Sequence, residues 1–260
     1  QPERWLGAGG TPTTNEEYQG DVNLSPSQFE RALACPLRWF LTTIGADGPS
    51  NAAASLGTLV HALAEENPHG TAEELTEALE ARIEELGYNL DTWAGRHADR
   101  HARAIVDNLA SYLVGVPGRV EVERMVEAQI EGVTIRGRMD RLEHVDEGVR
   151  VTDLKTGKGG HSAKTVPDNP QLAAYQMALL ASGEQVAGAR IALLGGDKPK
   201  TFDQKPLEGK TLEEWRGKVR EVAAIARGPY FEATPSEDAC RYCSFDRLCP
   251  ARERGRKVVE

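Results

Sequence analysis

The chain has no apolar run near the roughly 18 residues that a membrane span needs, which excludes a spanning helix and a membrane partner. It also lacks a secretory signal, so the expected setting is the bacterial cytoplasm rather than a disulfide-forming compartment. Lysine is scarce, with 9 residues against 22 arginines and none before Lys155. That bias, with plentiful alanine and glycine, fits a GC-rich bacterial genome. Position 1 is glutamine rather than methionine, and the chain is expected to be an excised piece of a longer protein. The phosphate-cradling pattern G-x-x-x-x-G-K-[ST] is missing, since Thr156-Gly157-Lys158-Gly159-Gly160 departs from it, and no ATP motor is expected here.

Positive charge is short too. The formal net charge of −9 and pI near 5.3 look wrong for a protein that meets nucleic acid. The distribution changes that reading. Residues 65–91 hold nine acids against Arg82, and the remainder is close to neutral. One acidic helix face accounts for the imbalance, so the charge excludes little. Only four cysteines are present, Cys35, Cys240, Cys243 and Cys249. The last three follow C-x2-C-x5-C and cannot complete a four-ligand site alone. An all-cysteine site must therefore reach back to Cys35, and metal ligation is favoured over disulfides.

What is present reads in order as an arm over 1–23 and one domain over 24–260. That domain divides into a helical region 24–118, a core 119–205 and a C-terminal helix with cysteines over 206–260. Ser25 caps a first helix, with Pro26 at its first position and Gln28 able to complete a capping box. Pro36 breaks or bends it just after Cys35. Ala52 to Glu66 forms a second helix, and His61 lies beside its apolar stripe of Leu56, Leu59, Val60 and Leu63. Thr71 to Gly87 forms the acidic helix. A helix from Asp91 to Val114 carries Arg96, Arg100 and Arg103, a stripe that reads as a solvated face or a phosphate track. Its His97 and His101 sit one turn apart with no third ligand nearby.

From Val120 the period becomes two, giving a three-stranded antiparallel meander that ends at Lys155. A helix from Asn169 to Ser182 then crosses to the strand Arg190–Leu194, making that strand parallel to its neighbour. A short strand near Thr201-Phe202 and a helix from Leu212 to Arg227 follow. Within the meander, a turn centred on Asp146-Glu147 sets Asp140 directly opposite Asp153. Two carboxylates that close repel unless a cation lies between them. Lys155 shares the face of Asp153. A divalent-metal site beside an ammonium and a salt-bridged surface hairpin both fit this pattern. Glu123 adds a carboxylate if its face points to the same place.

Taken together, several motifs resemble the RecB-type branch of the PD-(D/E)XK nuclease superfamily, in its iron–sulfur subgroup. They are Ser25 to Phe40 with Cys35, Gly57 to His61, Gly137 to Asp140, Asp153-Leu154-Lys155, Gln171 to Tyr175, and the terminal cysteines. Similar modules occur in helicase–nucleases of the AddAB and AdnAB kind and in CRISPR-associated adaptation exonucleases. The resemblance implies an α/β fold with a restriction-endonuclease-like mixed-sheet core. It implies that Asp140, Asp153, His61 and the backbone carbonyl of Leu154 ligate Mg²⁺ or Mn²⁺, and that Lys155 orients or activates the attacking water. Gln171 and Tyr175 would position DNA or hold the active-site loop. Cys35, Cys240, Cys243 and Cys249 would bind a [4Fe–4S] cluster, with tetrahedral Zn²⁺ on the same thiolates as the alternative. The implied activity is a DNA exonuclease on single-stranded ends in double-strand-break processing, with a helicase motor in the same chain or complex. A free-standing exonuclease and a non-catalytic DNA-binding module are the alternatives.

Overall fold

Short-range signals start most of the helices. Ser25 Oγ accepts the Gln28 N–H at 3.1 Å, and Gln28 Oε1 accepts the Ser25 N–H at 2.9 Å. This reciprocal cap, of the kind that contributes about 1 kcal/mol, opens α1 (Pro26–Ala34). Cys35 is extended, with φ −164°, and Pro36 opens α2 (Pro36–Thr43) as its first residue. The expected break at Pro36 is thus a corner between two helices. The computed structural model describes residues 15–47, 56–116, 118–241 and 243–253.

The second helix, α3 (Leu56–Glu66), is described from Leu56, and its expected start at Ala52 lies outside the described residues. Thr71 and Glu74 form a second capping box at α4 (Ala72–Arg82). This helix was expected to run on to Gly87. Instead it tightens after Arg82 into a 3₁₀ turn over Ile83–Leu86, which Gly87 closes at φ 63°. Thr92 caps α5 (Trp93–Val114) through the Gly95 N–H.

The sheet comprises β1 (Val22–Leu24), β2 (Val120–Ile130), β3 (Val133–Val145), β4 (Gly148–Lys155), β5 (Val186–Leu193) and β6 (Lys200–Gln204). Between β4 and β5 runs α6 (Pro170–Ala181), and α7 (Gly209–Arg227) and α8 (Glu237–Arg241) complete the chain. β2, β3 and β4 form the expected antiparallel meander, and the α6 crossover makes β4 and β5 parallel. β6 adds an antiparallel edge.

β1 differs from expectation. The segment through residue 23 read as an arm, yet Val22–Leu24 pairs in parallel with Val133–Ile135. Val22 and Leu24 are buried, and three residues are too few to show a period.

Two helical layers enclose the sheet. On one face α1, α6 and α7 bury Phe29, Leu172, Val219 and Trp215 against Ile135, Met139 and Val151. On the other, α3, α4 and α5 bury Leu59, Leu63, Leu75 and Leu109 with Leu154, Ala192 and Leu194. Each such side chain contributes roughly 1.5–3 kcal/mol of transfer free energy. Along one edge β3 is paired to β2 over almost its whole length. Along its other edge β1 covers residues 133–135 and β4 covers 141–145, which leaves 136–140 unpaired there.

Candidate active site

Asp140 stands at the end of that opening. Val145 pairs with Gly148 across the Asp146-Glu147 turn, and the register continues without a slip to Arg141 opposite Thr152. One further step places Asp140 opposite Asp153, as the turn residues predict. The ladder stops there, and Asp140 Oδ2 accepts the Leu154 N–H at 2.7 Å. Its other oxygen is 3.2 Å from His61 Nδ1, carried in by α3 from one helical layer. The hydrogen bond that the imidazole donates to Asp140 outweighs burial and holds His61 above its ordinary value.

Glu123 joins this group, resolving a question that the sequence leaves open. Val122 pairs with Arg141 and Arg124 with Met139, so the register sets Glu123 opposite Asp140. Glu123 itself adopts φ +50°, uncommon for a non-glycine residue in a strand and characteristic of strain kept at a working site. His61, Glu123 and Asp140 each offer a donor atom within 4.8 Å of the other two. Ligands of one octahedral Mg²⁺ sit roughly 3–4 Å apart, so a small contraction would seat an ion among them. Arg138 Nη1 lies 3.2 Å from Glu123 Oε2 and neutralises it.

Asp153 is buried beside this group rather than within it. Its Oδ1 accepts the Gln171 amide at 2.9 Å. Its Oδ2 lies 2.8 Å from Lys155 Nζ, yet no donor meets that oxygen in hydrogen-bond alignment. Burial pushes the Asp153 carboxyl up to about 6, with Lys155 pulling it down and Asp140 raising it further. A buried carboxylate held so reluctantly, beside a second carboxylate, suits a divalent cation. Lys155 moves the other way. Burial alone would lower it, but the Asp153 charge prevails and holds the ammonium above its ordinary value.

From the opposite layer, α6 supplies Gln171 and Tyr175. Asn169 caps this helix and Pro170 begins it. Gln171 Oε1 accepts from Lys155 Nζ at 3.3 Å, so one side chain holds both the acid and the ammonium. The Tyr175 hydroxyl donates to the Arg138 carbonyl at 2.7 Å, bracing the unpaired stretch of β3. Gly137 is confined for the same reason. A Cβ there would lie 2.6 Å from Pro26 Cδ and 3.3 Å from Tyr175 Cε1. Gly137→Ala is therefore expected to destabilise the fold by about 1–3 kcal/mol, measured as a lower denaturation midpoint at unchanged m-value.

Sequence reasoning missed some of the surroundings. Glu30 on α1 accepts from Asn169 Nδ2 at 3.1 Å, and burial raises its carboxyl against the pull of Lys155. Its position in α1 gives no local sign of that burial. Arg141 is fully buried and donates to the Pro68 carbonyl at 3.0 Å. Neighbouring Glu143 accepts from Arg150 at 2.9 Å and from the Tyr112 hydroxyl. This network ties β3 to α5 and to the α3–α4 loop, one residue from Asp140. Tyr112 and Arg150 flag it only once the strand register is known.

Among the described residues, no cysteine joins this donor group. Cys35 occupies the α1–α2 corner, and the C-terminal segment runs back along it. Leu37 N–H meets the Glu232 carbonyl at 3.0 Å, Thr234 Oγ1 the Ala34 carbonyl at 2.9 Å, and Arg38 the Ala239 carbonyl at 2.7 Å. All four thiols are free and partly exposed. Among the described residues, no three of them gather within 4.8 Å of one another. His97 and His101 form no metal group either, and His97 instead stacks on Trp93.

Comparison with known proteins agrees with this geometry. The family model described as the PD-(D/E)XK nuclease superfamily matches residues 23–250. The gene 69 protein of Mycobacterium phage D29 is 25% identical across 87% of this chain and 96% of its own length. The gene 69 protein of Mycobacterium phage L5 is 27% identical across 50% of this chain and 44% of its own. A candidate exonuclease from Eubacterium rectale superposes with a TM-score of 0.50 over 90% of this chain and 94% of that one, at 14% identity. That last likeness is one of fold.

Proposed function

The chain belongs to the PD-(D/E)XK nuclease superfamily, and on that premise we propose that it is a RecB-type, Mg²⁺- or Mn²⁺-dependent exonuclease acting on single-stranded DNA ends. One observation carries the metal reading. The buried Asp153 carboxylate, with Oδ2 lacking an aligned donor, lies beside the His61–Glu123–Asp140 donors. His61, Glu123, Asp140, Asp153 and the Leu154 carbonyl are the groups that would hold the ion. A bound divalent cation supplies Lewis-acid charge neutralisation and lowers the pKa of an attacking water.

The remaining work falls to the chain's own groups. Because Asp153 keeps Lys155 protonated, the lysine orients water and offsets phosphate charge rather than accepting a proton. Gln171 keeps that ammonium and Asp153 in register. Tyr175, through the Arg138 carbonyl, sets where Asp140 leaves the sheet.

A nuclease assay with end-labelled single- and double-stranded DNA, with Mn²⁺ or with EDTA, tests this reading. Metal-dependent loss of the single-stranded label supports it, and DNA binding without degradation refutes it. The rate is expected to fall as pH drops through about 6, where a proton competes with the cation for Asp153. Protonation of His61, raised by Asp140, acts in the same direction.

The four cysteines are assigned to a [4Fe–4S] cluster that joins the α1–α2 corner to the C-terminal segment. Hydrogen bonds already hold these two segments together. Tetrahedral Zn²⁺ with Zn–S near 2.3 Å would need thiolates roughly 3.8 Å apart. A helicase motor in the same chain or complex and a free-standing enzyme are both compatible with this reading.

A further inference from the structure

One face of α5 carries a feature that the nuclease centre does not use. The Trp93 side chain is 69% exposed, whereas Trp39 and Trp215 are buried. Its indole lies flat on His97, with ring centroids 5.3 Å apart and planes within 8°. Farther along the same face, Asn108 Nδ2 donates to the Leu194 carbonyl at 2.8 Å and to the Gly196 carbonyl at 2.9 Å. The intervening Gly195 is packed so tightly that a Cβ there would lie 2.3 Å from the Thr156 carbonyl oxygen. This face of α5 is therefore fixed against the loop that leaves Lys155.

His101 lies between His97 and Asn108 on that face. Burial holds its imidazole below the ordinary value, and the charge of Lys158 adds to the effect, so the active-site loop lies close by. Lys158 and Lys198 are exposed in the loops that meet here, and Lys200 is exposed at the start of β6. Arg103, which points to another side of α5, is paired with Glu80 and Asp99 and is committed to the acidic helix. At 1.5 Å per residue, Trp93 stands roughly 20 Å along α5 from Asn108.

We propose that this face is a track for single-stranded nucleic acid, on which a base stacks against the Trp93–His97 pair a few nucleotides from the cleaved bond. The proposal rests on the nuclease reading and adds the element that would engage the strand. An open indole face accepts any base, because every base presents a π surface. The exposed lysines beside the Asn108 end of this face match a phosphate backbone, and the unstacked base that the platform would take is one that a single strand presents and a blunt duplex does not.

The test is fluorescence-anisotropy binding of labelled oligothymidylate to the full chain in EDTA, where no cleavage occurs. Trp93→Ala is expected to weaken binding about tenfold, and Trp93→Phe to stay within about twofold of wild type. Cleavage of a dinucleotide, too short to reach Trp93 from Lys155, is expected to match wild type in both variants. If Trp93→Ala binds as wild type does while wild type binds and cuts DNA, the track is refuted and the nuclease reading stands. If wild type neither binds nor cuts DNA, both fall.

Discussion

Asp153→Ala is expected to cut DNA at least about a thousandfold more slowly than wild type while remaining folded. Metal-assisted neutralisation at a scissile phosphate supplies several kcal/mol, and each 1.36 kcal/mol is a factor of ten in rate. Asp153 is paired with Lys155 and is one of the proposed ligands, so its loss is expected to remove both a ligand and the partner that keeps the lysine charged. The truncation leaves the Gln171 amide without its acceptor and the ammonium without its ion-pair partner, which lowers stability as well. Asp153→Asn preserves the volume and separates the two effects. Circular dichroism and a cooperative melt establish folding, and single-turnover cleavage in Mn²⁺ measures the rate. Cleavage by both variants within tenfold of wild type would remove Asp153 from the site.

The same carboxyl predicts how metal-free protein responds to acid. Its folded pKa of about 6 lies above the ordinary 3.8, so the folded state holds the proton more tightly than the unfolded chain. The stability from this group is fully present below about 4 and is lost as pH rises through about 6. Asp153→Asn should flatten that slope in melts recorded with EDTA.

The second large effect concerns the cysteines. Anaerobically purified protein is expected to contain iron and acid-labile sulfide, and Cys35→Ser to lose both. Between Cys35 and Cys240 lie 204 residues, and a cross-link closing so long a loop stabilises by about 5 kcal/mol in the chain-entropy treatment developed for disulfides. For a domain of this size that corresponds to a melting temperature lower by roughly 10–20 °C. Zinc without iron in the wild-type protein would replace the cluster with a tetrahedral ion. An unchanged melting temperature in Cys35→Ser would show that the hydrogen bonds alone hold the corner.

Much of the centre was legible because its determinants are local. The Asp146-Glu147 turn alone fixes the β3–β4 register, and through it the pairing of Asp140 with Asp153. Ser25, Pro26 and Gln28 mark the start of α1 by their chemistry, before any packing is known. β1 was not legible, because its partner lies about 110 residues away and its three residues carry no period of their own. Glu123 needed two things that no local pattern contains, the β2–β3 register and a backbone turned to positive φ. Glu30 and Arg141 are charged residues buried only because distant segments, at Asn169 and Pro68, close over them. Periodicity reports on one element at a time, and these positions depend on several.

The placement of the centre between two helical layers also bears on synthesis. His61 comes from one layer, the acids from the sheet, and Gln171 from the other layer, so the groups span 111 positions of the chain. β4 acquires its parallel neighbour only after α6 and β5 have been made. Such distant pairings form late, because loop closure must precede them. A ribosome-bound chain that ends before α6 holds the carboxylates but neither Gln171 nor the crossover, so the centre is assembled only once the residues through Leu193 have been made.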